Sequence, residues 1–196
     1  MGLEMKARAA LIVLCLFLGT ASASAMNLGF SLGLGVTFPT QRAVRDIYGT
    51  GIPFSARVWG GSGNLWVGVG ADYLKNRGLA LASGGESEEY PVKLTVTSIP
   101  IGVYHLTVRG RFIFALGAGA YYSWYEEKWV GLNVASKGQK LGWFAELMGG
   151  YELNPTFSLF GSLSYAPIPT GRSSLVAYNI QLGGFKLSAG ILVFLN

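Results

Sequence analysis

Asn27-Leu28-Gly29-Phe30-Ser31-Leu32-Gly33-Leu34-Gly35-Val36-Thr37-Phe38 alternates without a break. Leu28, Phe30, Leu32, Leu34, Val36 and Phe38 fall on one face of a β-strand; Gly29, Ser31, Gly33, Gly35 and Thr37 fall on the other. A soluble sandwich or barrel turns its bulky apolar side chains inward. Here the inward side of a closed barrel would be mostly glycine and serine, so the bulky face has to meet lipid. That is the alternation of a transmembrane β-barrel.

The rest of the composition agrees. The 196 residues are 51% hydrophobic and only 13% charged, with 29 glycines, against about a quarter charged in an average soluble domain. Beyond the N-terminus no run approaches the roughly 18 continuous apolar residues of a membrane helix.

The N-terminus reads as a secretory signal peptide over residues 1–25, with Lys6 and Arg8 as its basic region, Ala9 to Gly19 as its apolar region and Ala23-Ser24-Ala25 as the small residues before cleavage. Cys15 lies inside the apolar region, preceded by Val13-Leu14 rather than the small residues of a lipoprotein site. Cleavage after Ala25 leaves a mature chain without thiol or disulfide chemistry. Removing Glu4, Lys6 and Arg8 takes the net charge from +5 to +4. The basic residues are scattered singly, so no nucleic-acid footprint is read.

One domain, residues 26–196, fills the mature chain. Strands are expected over about Ile52–Gly60, Leu65–Leu74, Val92–Leu106, Phe112–Tyr125, Leu141–Leu153, Phe157–Ala166 and, most clearly, Phe185–Leu195. Polar loops are expected over Asn76–Tyr90, Glu126–Lys140 and Pro167–Arg172. In the fourth strand the apolar phase flips: Val92, Leu94 and Val96 share one parity, and Ile99, Ile101 and Val103 the other. An extra residue near Thr97-Ser98, just before Pro100, would restore the phase, which predicts a β-bulge there. Short connections alternate with long ones, as in outer-membrane barrels with short periplasmic turns. Tyr73, Tyr122, Trp124 and Tyr165 at one set of strand ends, and Phe112, Tyr151 and Phe157 at the other, predict two aromatic girdles.

With these features in hand, the sequence resembles the small bacterial outer-membrane β-barrels of the OmpA/OmpX-like superfamily. The resemblance rests on the Leu-Gly alternation of the first strand and on Arg45-Asp46-Ile47-Tyr48-Gly49. It rests also on Gly117-Ala118-Gly119-Ala120-Tyr121-Tyr122 and the final strand from Gly183-Gly184-Phe185. It covers the mature chain and implies an all-β, closed, antiparallel barrel of about eight strands in a Gram-negative outer membrane. It also implies assembly by the outer-membrane machinery, which reads a terminal aromatic; here Phe194 is followed by Leu195 and Asn196.

The inward parity holds Arg57, Asp72, Lys93, Glu146, Glu152 and Lys186. Charges in a low-dielectric lumen should pair, which predicts a luminal network, with Asp72 and Lys93 partnered on adjacent strands. Phe144, Phe160, Trp66 and Met148 also point inward, and an eight-stranded barrel is only wide enough for its own side chains or one small ligand. Arg42-Ala43-Val44-Arg45-Asp46-Ile47-Tyr48 could form a helical turn in the first loop, capping the mouth or meeting lipopolysaccharide phosphates through Arg42 and Arg45.

Enzymatic machinery is not evident. His105, the single histidine, lies at the periplasmic end of its strand with no serine beside it. No His/Cys/Asp cluster has metal-ligand spacing, and Gly33-Leu34-Gly35 and Gly68-Val69-Gly70 are strand glycines, not phosphate loops. The expectation is a non-catalytic barrel without cofactor or metal, structural or surface-interacting, with outer-membrane lipid, lipopolysaccharide and an unidentified surface ligand as its partners. A narrow porin-like channel for small or apolar solutes, opening sideways near Pro100, is the alternative. A lipid A-modifying enzyme using His105 is a third.

Overall fold

The computed structural model describes residues 27–81, 89–131, 134–172 and 179–195; the expected signal peptide, with Cys15, lies outside them. Eight strands close into an antiparallel barrel: β1 (Asn27–Pro39), β2 (Phe54–Ser62), β3 (Leu65–Leu81), β4 (Glu89–Arg109), β5 (Phe112–Trp129), β6 (Val134–Glu152), β7 (Phe157–Ala166) and β10 (Gly184–Leu195). A short helix, α1 (Arg42–Tyr48), follows β1. A two-stranded ribbon, β8 (Pro169–Arg172) and β9 (Asn179–Gln181), separates β7 from β10. β1 closes the ring by pairing with β10, Leu28 opposite Leu195 through Pro39 opposite Gly184. No sheet edge is left along the membrane-spanning wall.

The outside is the apolar face throughout. Leu34, Leu116, Leu141, Leu147, Leu163 and Leu187 all project outward, with Leu141 72% exposed. A contiguous belt of that kind has no place on a water-soluble monomer, whereas lipid is its natural solvent. Aromatic rings rim the belt at both ends. Phe112 and Tyr151 meet edge to face at 5.4 Å on one rim. Tyr122 with Trp124 (4.7 Å), and Tyr165 with Phe185 (4.9 Å), mark the other. The first rim carries the tight connections. Gly63 (φ +57°) and Gly110 (φ +60°) turn β2 into β3 and β4 into β5, conformations that glycine adopts without a Cβ penalty. This is the periplasmic end by the usual arrangement of such barrels.

Two expectations are corrected at the opposite end. In the stretches expected as loops over Asn76–Tyr90 and Glu126–Lys140, the described residues are largely strand: β3 and β4 stay paired out to Leu81–Glu89, and β5 and β6 out to Trp129–Val134, while residues 82–88 and 132–133 lie outside the described residues. The region expected to loop over Pro167–Arg172 contains β8. The bulge near Thr97-Ser98 is absent. Val69 pairs with Ile101 and Asp72 with Ser98 in one constant register, and the β4–β5 register is equally constant from Val92–Trp129 to Arg109–Phe112. The apolar phase flips because the surroundings change along an unbroken strand. Ile99, Ile101 and Val103 face lipid. Val92, Leu94 and Val96 lie beyond the membrane and are buried inward, against α1.

Candidate functional site

Glycine on the luminal face makes room for rings from other strands. A Cβ on Gly117 would stand 2.1 Å from the Tyr104 ring, and one on Gly68 2.9 Å from Trp59. Trp59, Trp66, Tyr104, Phe144 and Met148 fill the resulting space with Leu106, Ile113, Ala115 and Leu192. Trp59 and Tyr104 pack edge to face at 4.7 Å. Small-inward patterning in β1 is therefore the complement of large-inward patterning elsewhere, and the lumen is a core.

Charges sit on this aromatic layer. Arg57 of β2 forms an ion pair with Glu146 of β6, both nearly fully buried. Arg57 Nη1 also donates to the Tyr104 hydroxyl at 2.9 Å, and Tyr104 donates to Glu146 Oε2 at 2.9 Å. The guanidinium lies 5.8 Å from the Trp59 ring centroid and 5.9 Å from that of Phe144, within cation–π range. A second pair lies nearby: Lys186 Nζ of β10 donates to Asp72 Oδ2 of β3 at 2.8 Å, and to Ser55 Oγ at 3.3 Å. So Arg57, Glu146, Asp72 and Lys186 come together. Lys93 does not. It is exposed on the outer face of the β4 extension, next to Arg77 and Lys128. The partnership of Asp72 with Lys93 is thus corrected to Asp72 with Lys186. The flip in β4 is the reason: parity counted as though the whole strand crossed lipid puts Lys93 on the wrong side. Glu152 is half-buried near the periplasmic rim, bordering the open mouth there with Trp66 and Phe194.

Above the ion pairs lies a cavity of about 90 Å³, with Arg57, Asp72, Lys186 and Tyr121 at its polar side and Leu74, Val96, Ile168 and Leu182 at its apolar side. Arg57 Nε, Asp72 Oδ1 and the Tyr121 hydroxyl are buried with no protein hydrogen-bond partner among the described residues. The cavity suits water or a very small amphiphile. Below it the space narrows to about 10 Å³ between Arg57, Trp59, Glu146 and Met148.

The outer mouth is covered by α1. Val44 and Tyr48, one turn apart, are buried against Ala80, Val92, Leu94 and Val96, while Arg42, Arg45 and Asp46 face out. Arg42 pairs weakly with Asp46, Nε to Oδ2 at 3.5 Å. Gly78 of β3 lets the helix approach: a Cβ there would meet the Ile47 carbonyl oxygen at 2.1 Å. Asn76 Nδ2 donates to the Tyr48 carbonyl at 2.8 Å, satisfying one of the helix's last acceptors. Gly49 ends the helix at φ +62°. Burial first, and the Glu127 charge second, raise the Tyr48 hydroxyl pKa above its ordinary value. On the outer face of the β5–β6 hairpin, hydrogen bonds from Lys137 and Lys128 lower the Glu126 pKa.

No protein-family model matches the sequence, and no curated protein does. Solved structures do match. OprG from Pseudomonas aeruginosa superposes with a TM-score of 0.66 at 13% identity, over 88% of this chain and 97% of that one. A major outer membrane protein from Thermus thermophilus gives 0.60 at 14%, over 88% and 100%. Neisserial surface protein A gives 0.58 at 15%, over 88% and 98%.

The fold is that of the small outer-membrane β-barrels.

The lipid-facing belt and its two aromatic rims set this barrel across a membrane, with α1 and the extended hairpins beyond the rim opposite the tight turns. His105 points away from the lumen at the periplasmic end, its Nε2 3.3 Å from the Thr107 hydroxyl. Two features escaped sequence reasoning. Tyr104, central to the Arg57–Glu146 pair, reads as one more strand aromatic. The inward burial of Val92, Leu94 and Val96 needed α1 to be recognised as their partner; the sequence signal was the phase flip itself.

Proposed function

We propose that this barrel is a non-catalytic outer-membrane protein with a closed lumen, whose role is carried by its outer face and extensions. The observation that supports this reading is the stacking of three seals along one axis. These are α1 docked on its apolar cluster, the paired charges of Arg57–Glu146 and Asp72–Lys186, and the aromatic layer beneath them. A solute would have to break ion pairs in a low-dielectric interior to pass, at a cost of several kcal/mol. His105 is exposed, with the Thr107 hydroxyl at 3.3 Å and no charged partner among the described residues to orient it, which favours the non-catalytic reading. Planar-bilayer recording on the purified, refolded protein tests the reading. A quiet trace is expected, and discrete conductance steps would reject the closed lumen.

One observation favours a second reading, side entry for small apolar solutes. Along β3–β4 the paired residues skip Gly70 and Ala71, opposite Pro100 and Ile99. Pro100 has no N–H to donate, and it borders the cavity of about 90 Å³. If that gap admits solutes, Pro100→Val should close it and reduce uptake of a small apolar fluorophore into proteoliposomes. Equal uptake by both proteins would remove this reading.

A further inference from the structure

The register of the extracellular extension sets basic side chains side by side. Arg77 of β3 stands opposite Lys93 of β4, and Lys93 opposite Lys128 of β5. All three are exposed on the outer face. One step nearer the membrane on that face, Lys75 is opposite Thr95, Thr95 opposite Glu126, and Glu126 opposite Lys137. The next step is the aromatic rim: Tyr73, Thr97, Trp124 and Gln139. Like charges directly opposite on one face are destabilising, and a row of three on adjacent strands is a poor arrangement for isolated sheet. Glu126 offsets part of the charge through Lys137 (2.9 Å) and Lys128 (3.3 Å). Among the described residues, Lys75, Arg77 and Lys93 have no acidic partner within ion-pair distance. Glu89 lies farther along β4, opposite Leu81.

The height of this patch says what would neutralise it. Its two rows lie two and four residues past the aromatic rim. At roughly 3.3 Å per residue and a tilt near 45° that is about 5 to 10 Å above the acyl boundary, in the headgroup layer. Rings at the rim hold the acyl side and cations just above it hold an anion. Arginine offers a fork and lysine a point charge, both suited to phosphate oxygens.

We propose that the outer faces of β3, β4 and β5 form a binding surface for the phosphorylated headgroup of an outer-leaflet lipid, with Arg77, Lys93 and Lys128 contacting phosphate and Tyr73 and Trp124 lying against its acyl chains. This deepens the surface-acting reading given above and rests on it only for placing the protein in the outer membrane. It also moves the phosphate contact away from Arg42 and Arg45, which sit over the mouth rather than on the lipid-facing wall.

The test is retention of diphosphoryl lipid A by the full-length refolded protein in neutral detergent at low salt, read by native mass spectrometry. The comparison is with the triple variant Arg77→Gln, Lys93→Gln, Lys128→Gln and with the double variant Arg42→Gln, Arg45→Gln. Wild type and the double variant should bind alike. The triple variant should bind more weakly by on the order of a hundredfold, and the difference should shrink as salt rises. Lipid A stripped of its phosphates should bind all three proteins equally. Equal retention by wild type and the triple variant would overturn the proposal. So would a loss confined to the Arg42/Arg45 variant, or inorganic phosphate binding as tightly as the lipid. Unfolding in lipid-free detergent supplies a second measurement. There the double variant Arg77→Gln, Lys93→Gln, which leaves the Lys128–Glu126 pair intact, should be at least as stable as wild type because repulsion is relieved, and adding diphosphoryl lipid A should reverse that order. A failure of the lipid to stabilise wild type more than this double variant would also refute the proposal. Conductance steps in a planar bilayer would reject the closed lumen and leave this binding result standing.

Discussion

Lys186 and Asp72 meet at 2.8 Å across the lumen, although β10 and β3 are separated in the barrel by β1 and β2. The pair is a strut between strands that share no ladder. Both side chains are mostly buried, so removing the cation leaves a carboxylate with only Ser55 and the more distant Arg57, already paired with Glu146, to offset its charge. Lys186→Met is expected to lower stability by about 1–3 kcal/mol. Lys93→Met, on the outer wall, should cost nothing measurable. Urea unfolding of both refolded variants by tryptophan fluorescence checks this; similar losses for the two would mean that the lumen is not where the charge matters.

Arg57 and Glu146 form a tighter case, because Tyr104 bridges them. Arg57→Met strands Glu146 in the interior, with an expected cost of about 3–5 kcal/mol. Replacing both partners, Arg57→Met with Glu146→Met, removes both desolvation penalties and should recover most of that loss. If Arg57→Met fails to refold, a folded double variant reports the recovery directly. A double variant as unstable as the sum of the singles would show that the two charges are not coupled.

Most of the wall was legible in the sequence because the outward face of each membrane strand is apolar and alternates strictly with the inward one. β1 is small inward throughout, whereas β5, β6 and β10 also send Ile113, Phe144, Met148 and Leu192 into the lumen. Legibility failed where that rule stops applying. Beyond the rim water replaces lipid outside and α1 replaces the lumen inside, so Val92, Leu94 and Val96 turn in while Lys93 turns out. An unbroken strand then looks like a bulge, and a solvent-facing lysine looks luminal. Lys186 carried the same parity signal as Lys93, but which lysine Asp72 meets depends on barrel closure, which brings β10 near β3 and is invisible in strand-by-strand reading. The polar composition of residues 76–81, 89–90, 126–129 and 134–140 described solvated hairpin arms, not irregular loops.

Gly78 supplies a test of the cap. The close approach of the Ile47 carbonyl means that any side chain at this position pushes α1 outward, at an expected cost of about 1–3 kcal/mol to docking. Gly78→Val should therefore increase the mobility of a nitroxide placed on Ala43→Cys, an exposed position of α1. The membrane-spanning wall does not touch this contact, so the heat-modified gel shift of the barrel should be unchanged. A nitroxide that stays as immobile in Gly78→Val as in wild type would show that α1 does not rest on β3.

Tyr48 gives the cap a pH dependence. Its hydroxyl is buried with no hydrogen-bond partner among the described residues, and burial beside Glu127 raises its pKa above the ordinary 10.0. A raised acid pKa in the docked state means that docking is fully stable below the undocked value and is lost as pH climbs past it. Above pH 10 the undocked tyrosine ionises while the docked one stays neutral, weakening docking by about 1.4 kcal/mol per pH unit. The Ala43 nitroxide should accordingly loosen between pH 10 and about 12 in wild type. Tyr48→Phe removes both the titration and an unsatisfied buried hydroxyl, so its cap should be at least as firm at neutral pH and should stay docked through the same alkaline range. Identical pH curves for the two proteins would mean that the Tyr48 hydroxyl does not control the mouth, and α1 would then be held by Val44, Ile47 and the Asn76 hydrogen bond to the Tyr48 carbonyl.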